Sequence, residues 1–258
     1  MAIGNFVLEL ERIAADKKIN TSVFLINKIN FAKKKHLGEN PADFEEANQI
    51  TSSMKLMPLA ELRGKLKRKT EEYREAKNEA ENRIVNFAAQ KIMKGSVVFL
   101  YGNSPRINKA LKLANSKGIN FYVYTVDAGP EMSGRKAAEE LSNLKIPVRH
   151  FPDILASEAL SKADILFFEP KAITREGKII APMGIKNILA EAKKNKVFSY
   201  CVFKKGESKK SSGEKTNQEA KSSVVFVKDR KEEAELSDIT AIINEYGIIK
   251  TSDFSRIL

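Results

Sequence analysis

The stretch "VVFLYGNSPRINKALKLANSKGINFYVYTV", residues 97–126, determines the fold of the larger part of this chain. Two short apolar runs, "VVFLY" and "NFYVYTV", stand on either side of a segment with helical spacing. Ser104 is a typical helix cap, and Pro105 suits the first position of a helix. The stretch therefore predicts a strand, a helix and a second strand.

The same alternation continues toward the end of the chain. Further apolar runs, "ADILFF", "VFSYCVF" and "SSVVFV", are separated by amphipathic segments such as "GIKNILAEAKKN". Buried runs of about five to seven residues between helices are typical of a parallel sheet with helices on both faces. The fold class is therefore α/β, and residues 95–258 should form a Rossmann-like, doubly wound and mainly parallel sheet.

Residues 1–94 contain helical patterns only, which predicts a helical N-terminal domain before the α/β domain. We expect helices at about residues 3–16, after the cap Thr21, after the pair Asn40-Pro41, and from Pro58 to Lys94. The second helix should carry its apolar stripe at Val23, Phe24, Ile26, Ile29 and Phe31.

Residues 204–221, "KKGESKKSSGEKTNQEAK", contain six lysines, three glutamates and no large apolar side chain. Such a segment cannot bury apolar surface on folding. We therefore expect a mobile, basic loop here within the α/β domain.

The composition is that of an ordinary water-soluble chain of 258 residues, with 42% hydrophobic and 30% charged residues. No apolar run approaches the roughly 20 residues that cross a bilayer, and the charged N-terminus does not fit a secretory signal. We expect a cytoplasmic protein without membrane association. One cysteine and two histidines leave no multi-cysteine metal site, so no metal is expected. Without a Gly-rich dinucleotide motif or a P-loop, no cofactor is predicted.

The formal net charge of +12 suits nucleic acid, an anionic ligand or an acidic protein surface as a partner. The densest basic stretch is "RGKLKRK", Arg63 to Lys69. It lacks neighbouring aromatic side chains that could stack bases, and the acidic "TEEYREAKNEAE" follows it. A solvated helix face is the favoured interpretation, and nucleic acid is not an expected partner.

In an open α/β sheet, ligands bind beyond the carboxyl ends of the strands, near the point where the strand order reverses. Helix N-termini in this region attract phosphate. Each residue singled out here also has a structural alternative, such as a cap for Ser104 or a solvated side chain for Arg135, and His150 and Cys201 are interpreted as structural. The candidate ligand-binding residues are Asn103, Ser104, Arg135, Lys171, Gly184 and Lys186.

Four segments carry a family resemblance, in the order "VDAGPEMSGRKAAEEL", "VRHFPDILASEALSKADILFFEPKAITREGKII", "MGIKNILAEAKKNKVFSY" and "ITAIINEYGII". They resemble the family of the alpha, beta and delta subunits of translation initiation factor 2B, which also contains ribose-1,5-bisphosphate isomerase and 5-methylthioribose-1-phosphate isomerase. The resemblance covers about residues 95–250. It implies a helical N-terminal domain, a Rossmann-like C-terminal domain, and a homodimer or higher oligomer formed through the latter.

The resemblance also indicates where the isomerase chemistry is missing. It implies that the isomerases use a cysteine after the first strand and an aspartate after the strand at 163–168. This sequence has Gly102 and Lys171 at those positions. Glycine has no proton to transfer, and a lysine with its ordinary pKa of about 10 is a poor base at neutral pH. No catalytic residue is therefore predicted.

The phosphate-binding positions that the resemblance implies differ as well. The family's Asn-Lys-x-Gly-Thr corresponds to "APMGI" at residues 181–185, and the arginine that usually precedes Pro130 is Gly129. Each lost charge-assisted hydrogen bond costs roughly 1.5 to 3 kcal/mol. Losses at two or three positions predict much weaker binding of a sugar phosphate.

Two function hypotheses follow. The leading one is a non-catalytic subunit-like protein that acts by binding proteins, with a translation initiation factor as a partner. The alternative is an isomerase or sensor of sugar or nucleotide phosphates with an altered site, in which Lys171, Lys186 and Arg135 rebuild an anion site. Its reaction would be the aldose–ketose isomerisation of phosphorylated pentoses.

Overall fold

The computed structural model describes residues 2–36, 47–52, 54, 57–174, 176–204, 219–221, 224–226 and 231–256. The chain divides into two compact units, Met1–Ala80 and Glu81–Leu258. This division lies inside the longest helix, whereas the domain boundary expected from the sequence, between residues 94 and 95, follows the end of that helix. Within the described residues, no helix combines the length and the apolar character needed to cross a membrane.

The first unit is helical, as the sequence predicts. It contains α1 (Ala2–Ala15), α2 (Ser22–His36), a helical segment at residues 47–51, and the first part of α3 (Leu59–Ala89). The predicted helix start at Asn40-Pro41 lies outside the described residues. The core of this unit consists of buried apolar side chains, among them Phe6, Leu10, Leu25, Leu62 and Leu66.

The predicted apolar stripe of α2 is wrong at three of its five positions, whereas Ile29 is buried and Ile26 packs partly buried against the same core. The buried positions are Leu25, Ile29 and Ala32, which have the i, i+4, i+7 spacing of a single helix face. Only Ile29 belongs to both sets. Apolar residues surround much of this helix, so their spacing alone did not identify the face that packs. The exposed members of the predicted stripe are Val23, Phe24 and Phe31.

Two side chains fix the ends of the N-terminal helices. The hydroxyl of Thr21 accepts a hydrogen bond from the backbone N–H of Phe24 at 3.2 Å, as expected of a cap. Arg63 donates to the backbone carbonyls of Ala14 and Ile19, the latter at 2.7 Å. Arg63 thus differs from a fully solvated residue of the basic stretch at 63–69, because its partly buried guanidinium is bonded to backbone carbonyls of the turn after α1.

In its described residues, the second unit forms twelve strands. They are β1 (Val97–Tyr101), β2 (Tyr122–Val126), β3 (Val148–Phe151), β4 (Ile165–Phe168), β5 (Ala172–Ile173), β6 (Lys178–Pro182), β7 (Phe198–Val202), β8 (Glu219–Lys221), β9 (Val224–Phe226), β10 (Lys231–Glu235), β11 (Ala241–Asn244) and β12 (Gly247–Lys250). Seven of them form the main sheet in the order β12-β11-β7-β4-β1-β2-β3. All neighbours in it are parallel except β12, which is antiparallel to β11. The predicted Rossmann-like, mainly parallel sheet is confirmed.

Helices cover both faces of this sheet. They are α4 (Pro105–Ser116), α5 (Ser133–Asn143), α6 (Ala156–Leu160) and α7 (Ile185–Lys194). Side chains alternate along β1: Val98 and Leu100 belong to a core with α4 and α5, whereas Phe99 and Tyr101 belong to a core with α6 and α7. Cys201 is fully buried in the second core, in keeping with a structural role.

Two small antiparallel sheets, β10-β6-β5 and β8-β9, complete the second unit. The sequence predicts "SSVVFV" as a strand of the parallel sheet, and this is wrong. Val224–Phe226 pairs with Glu219–Lys221, while β11 takes the place beside β7. Composition does not show which of two short apolar runs joins the main sheet, because contacts with distant parts of the chain decide this. Strand β8 also occupies the end of the predicted loop at 204–221, of which residues 205–218 lie outside the described residues.

Candidate functional site

The carboxyl ends of β1 and β4 lie side by side where the strand order reverses, which is the usual place for a ligand in this fold. Gly102 follows β1 with φ +81°, a left-handed conformation that favours glycine. Glu169, Pro170 and Lys171 follow β4. We call the turns and first helical turns beyond these strands and their neighbours the crevice edge.

A buried arginine links the turn after β1 to the turn after β4. The Arg106 guanidinium donates to Glu81 at 2.8 and 2.7 Å and to Glu169 at 2.8 Å. The Ser104 hydroxyl accepts from the backbone N–H of Ile107 at 3.1 Å and donates to the second oxygen of Glu169. Burial alone would raise the pKa of Glu81, but the hydrogen bond and charge of Arg106 outweigh it, and this pKa is lowered. Ser104 is therefore both a helix cap and a partner of a carboxylate within the chain.

A second charged cluster lies at the ends of β2 and β3. Asp127 accepts hydrogen bonds from Arg135 at 2.6 Å and from His150 Nε2 at 3.0 Å. The other ring nitrogen of His150 lies 2.8 Å from the Thr125 hydroxyl, so both nitrogens have partners. Hydrogen bonds from Arg135 and then His150 lower the pKa of Asp127. Arg135 is 60% exposed but is paired within the chain.

The turn after β2 holds a carboxylate on its backbone. The two oxygens of Asp153 accept from the amides of Ala128 at 2.8 Å and of Gly129 at 2.9 Å. Ala128 has φ +54°, and the two successive amides converge on this one carboxylate. Convergent amides of this kind form an anion-binding concavity. Here the chain's own aspartate occupies it.

The N-terminus of α7 is occupied in the same way. The backbone N–H of Lys186 donates to Glu232 of β10 at 2.6 Å. A helix N-terminus carries partial positive charge that attracts anions, and a carboxylate satisfies it here. The Lys186 side chain lines a groove of about 540 Å³ with Lys178 and Lys193, and no other predicted site residue lines that groove.

Gly184 is favoured at the start of α7 by its backbone conformation and by the space around it. It has φ +94°, and a Cβ added there would lie 2.3 Å from the hydroxyl oxygen of Tyr101. That hydroxyl donates to the carbonyl of Met183. Burial, followed by the nearby carboxylates of Asp153 and Glu232, raises the pKa of Tyr101, so the phenol keeps its proton and cannot act as a base.

Lys171 and Asn103 contact two further carboxylates. The Nζ of Lys171 lies 3.5 Å from Glu131. The side-chain amide of Asn103 donates to Glu140 at 3.3 Å and accepts from Asn108 at 2.9 Å. Both side chains are thus engaged by the chain itself.

The six predicted site residues are held by contacts within the chain, and their role in ligand binding stays a prediction. In the described part of the chain, no hydrogen bond or ion pair joins two of the six to each other. Gly184 packs against Tyr101, and each of the other five is bonded to a carboxylate of the chain. In the order Asn103, Ser104, Arg135, Lys171 and Lys186, these carboxylates belong to Glu140, Glu169, Asp127, Glu131 and Glu232.

Our sequence analysis did not predict Arg106 or Glu232, whose side chains form contacts at the crevice edge. Arg106 could have been identified from the sequence. A cation in the first turn of a helix opposes the helix dipole and therefore suggests a nearby carboxylate. No sequence pattern pointed to Glu232, because it lies 46 residues from Lys186 and is brought to α7 by the pairing of β10 with β6.

Comparisons with known proteins agree with this architecture. The model of the Initiation factor 2 subunit family matches residues 6–251. The chain is 27% identical over 117 residues to the ribose 1,5-bisphosphate isomerase of Thermococcus kodakarensis, a match that covers 45% of this chain and 36% of that protein. The matched segment therefore spans only about a third of the length of that relative.

Two solved structures share the fold. The translation initiation factor eIF-2B of Pyrococcus horikoshii OT3 has a TM-score of 0.75 and 18% identity, covering 96% of this chain and 90% of that chain. The 5-methylthioribose 1-phosphate isomerase of the same organism has a TM-score of 0.82 and 14% identity, covering 99% and 80%. Because the family match extends over nearly the whole length, the resemblance noted in the sequence is confirmed, and the chain belongs to the Initiation factor 2 subunit family.

Proposed function

We propose that this chain is a non-catalytic, initiation factor 2B subunit-like protein that acts by binding other proteins, in translation initiation or its regulation. One observation carries the proposal: the crevice edge is occupied by the chain's own carboxylates. Asp153 lies on two backbone amides, Glu232 on the N-terminus of α7, and Glu169 on Arg106. These are the kinds of group that would otherwise hold a phosphate.

Proton transfer is the first difficulty for an enzyme at this edge. An aldose–ketose isomerisation needs a group that takes a proton from one carbon and returns it to the next. Gly102 and Lys171 stand at the positions that the family resemblance assigns to that task, and Lys171 is paired with Glu131. Burial raises the pKa of both Tyr101 and Cys201, so neither supplies a base.

Charge is the second difficulty. At about 4 Å in the partly solvated surroundings of a protein surface, two like charges repel by roughly 4 kcal/mol. Micromolar binding amounts to about 8 kcal/mol in total. A phosphate beside Glu232 or Asp153 would lose a large part of that affinity, whereas the surface of a protein partner need not enter the crevice edge.

The remaining features of the proposal follow from family membership. We propose a cytoplasmic protein with a helical domain at 1–94 and an α/β domain at 95–258, which includes the loop at 204–221. The α/β domain would form a homodimer or higher oligomer, and a translation initiation factor would be the partner. The family match and the fold shared with the initiation factor eIF-2B of Pyrococcus horikoshii OT3 support this choice.

The alternative is an isomerase or sensor of sugar or nucleotide phosphates, and the similarity to ribose 1,5-bisphosphate isomerase favours it. Its anion site would be built from Lys171, Lys186 and Arg135. For this, Glu131 would have to release Lys171 and Asp127 would have to release Arg135.

Calorimetry on the full chain separates the two proposals. The ligands are ribose 1,5-bisphosphate, 5-methylthioribose 1-phosphate and a nucleoside monophosphate, and we expect flat traces for all three up to about 1 mM. Binding that disappears in the Lys171→Met variant would support the alternative. In parallel, the immobilised chain should capture an initiation factor. Recovery of neither an initiation factor nor a ribosomal component would count heavily against the leading proposal.

A further inference from the structure

Helix α2 of the first unit presents apolar side chains to solvent. Phe31 is 64% exposed, Val23 56% and Phe24 43%. The opposite side of the same helix packs into the core of the unit. Of the exposed side chains, Phe24 and Phe31 lie on the same side of the helix, because they are seven residues apart. Exposed apolar side chains that share one side are a feature of surfaces that bind partners.

Two aromatic residues and two lysines form a single row along this face. Phe24, Lys28, Phe31 and Lys35 follow at i, i+4, i+7 and i+11, and we call them the α2 stripe. A rise of 1.5 Å per residue places Phe24 and Phe31 about 10.5 Å apart along the helix axis. The Nζ of Lys28 lies 5.5 Å from the centroid of the Phe24 ring.

The charge of α2 narrows the choice of partner. The helix carries four lysines and no acidic residue. Lys28 and Lys34 are exposed, and Lys35 remains 55% exposed although it pairs with Glu9 at 3.2 Å. A second copy of this face would bring lysine against lysine, which is unfavourable. An acidic surface is the complement.

We propose that the α2 stripe docks an acidic amphipathic helix of a partner protein. Apolar residues at i, i+3 or i+4, and i+7 on such a helix repeat at the distance that separates Phe24 from Phe31. Aspartate or glutamate beside that apolar row would pair with Lys28 and Lys34. This proposal rests on the protein-binding function proposed above and names the class of partner and the surface that receives it.

The test uses a synthetic helical peptide of about 18 residues, with leucines in an i, i+4, i+7 row and glutamates beside them. Fluorescence anisotropy with the full chain should show binding about tenfold or more tighter than for a scrambled peptide of the same composition. The Phe24→Ala/Phe31→Ala variant should weaken binding by about tenfold or more, and Lys28→Glu should weaken it as well. Met93→Ala is the matched control, since Met93 is 64% exposed in the second unit. Its binding should be unchanged.

Thermal unfolding of the double phenylalanine variant should match that of the unaltered chain, because both side chains are exposed. Binding of the patterned peptide no tighter than the scrambled one, or insensitive to the double variant, would overturn the proposal. Binding of single-stranded RNA or anionic vesicles that needs Phe24 and Phe31, without peptide binding, would also overturn it. Capture of an initiation factor that survives the double variant would reject the α2 stripe while the broader protein-binding function stands.

Discussion

The crevice edge and the α2 stripe differ in whether their cations are paired with carboxylates or exposed to solvent. At the crevice edge, Arg106, Lys171 and Arg135 are each paired with a carboxylate of the chain. On α2, which itself carries no acidic residue, Lys28 and two phenylalanines are exposed. Our two proposals together describe a chain whose own carboxylates pair with the groups of the crevice edge and whose helix α2 offers a basic, apolar surface.

The largest expected effect comes from removing the buried arginine of the crevice edge. The Arg106→Met variant would leave Glu81 and Glu169, which lie on either side of it, without their shared cation. We expect the free energy of unfolding to fall by about 3 to 5 kcal/mol, the usual cost of breaking a buried pair. Urea unfolding measures it.

The control for this variant is Arg74→Met, because Arg74 is 49% exposed and pairs with Glu11. Its effect should stay below about 1 kcal/mol, as for other surface pairs. Equal losses in the two variants would contradict the view that Arg106 holds the crevice edge together.

The turn before α7 gives the next largest effect. We expect Gly184→Ala to cost about 1 to 3 kcal/mol, because the residue has φ +94° and its new Cβ would meet the Tyr101 hydroxyl. Adding Tyr101→Phe should recover part of the loss, since it removes the clashing oxygen but not the backbone strain. In contrast, Gly64→Ala, at an open position within α3, should stabilise by about 0.5 to 1 kcal/mol. Similar melting curves for both alanine variants would refute the steric account.

Removing one carboxylate charge from the crevice edge should let this edge bind an anion more tightly. The Glu232→Gln variant removes the charge that lies on the Lys186 amide. We expect inorganic phosphate to bind about tenfold more tightly than to the unaltered chain, which corresponds to about 1.4 kcal/mol. Phosphate-induced amide shifts in NMR spectra measure this affinity. The matched control Glu233→Gln changes the next residue along β10, and affinity gained equally there would show a general charge effect.

The smallest effect is the acid sensitivity of the Asp127 cluster. Arg135 and His150 lower the pKa of Asp127, so this carboxylate stabilises the fold above its unfolded pKa of about 3.9. The contribution is lost as the pH falls through the lower folded value. Stability of the unaltered chain should therefore drop more steeply below about pH 4 than that of Asp127→Asn. Urea midpoints across the pH series test this, with Asp253→Asn as an exposed control, and parallel curves for all three proteins would contradict it.

Local signals explain what the sequence predicted about the fold. The cap at Ser104 bonds to Ile107, three residues away, and the alternation along β1 follows from strand geometry. These features depend on neighbouring residues only. The choice between Val224–Phe226 and Ala241–Asn244 as a strand of the main sheet depends on distant contacts, and there the prediction failed. The stripe of α2 failed likewise, because the packed face depends on the other helices.

The site was less predictable than the fold. Residue types and the family resemblance led us to predict Lys171, Gly184 and Ser104 as ligand-binding residues, and their role in binding stays a prediction. What each side chain contacts was not visible, since Glu232 and Asp153 reach the crevice edge through the folded arrangement of strands. A carboxylate that pairs with a residue far away in the sequence cannot be recognised from its sequence neighbours.

The most direct test of the central claim is an NMR assay for conversion of ribose 1,5-bisphosphate by the purified full chain. We predict no product above the buffer control, because Gly102 and Lys171 stand where the family resemblance places the proton-transferring residues, and because the crevice edge holds its own carboxylates. Steady conversion that is lost in the Lys171→Met variant would contradict the claim.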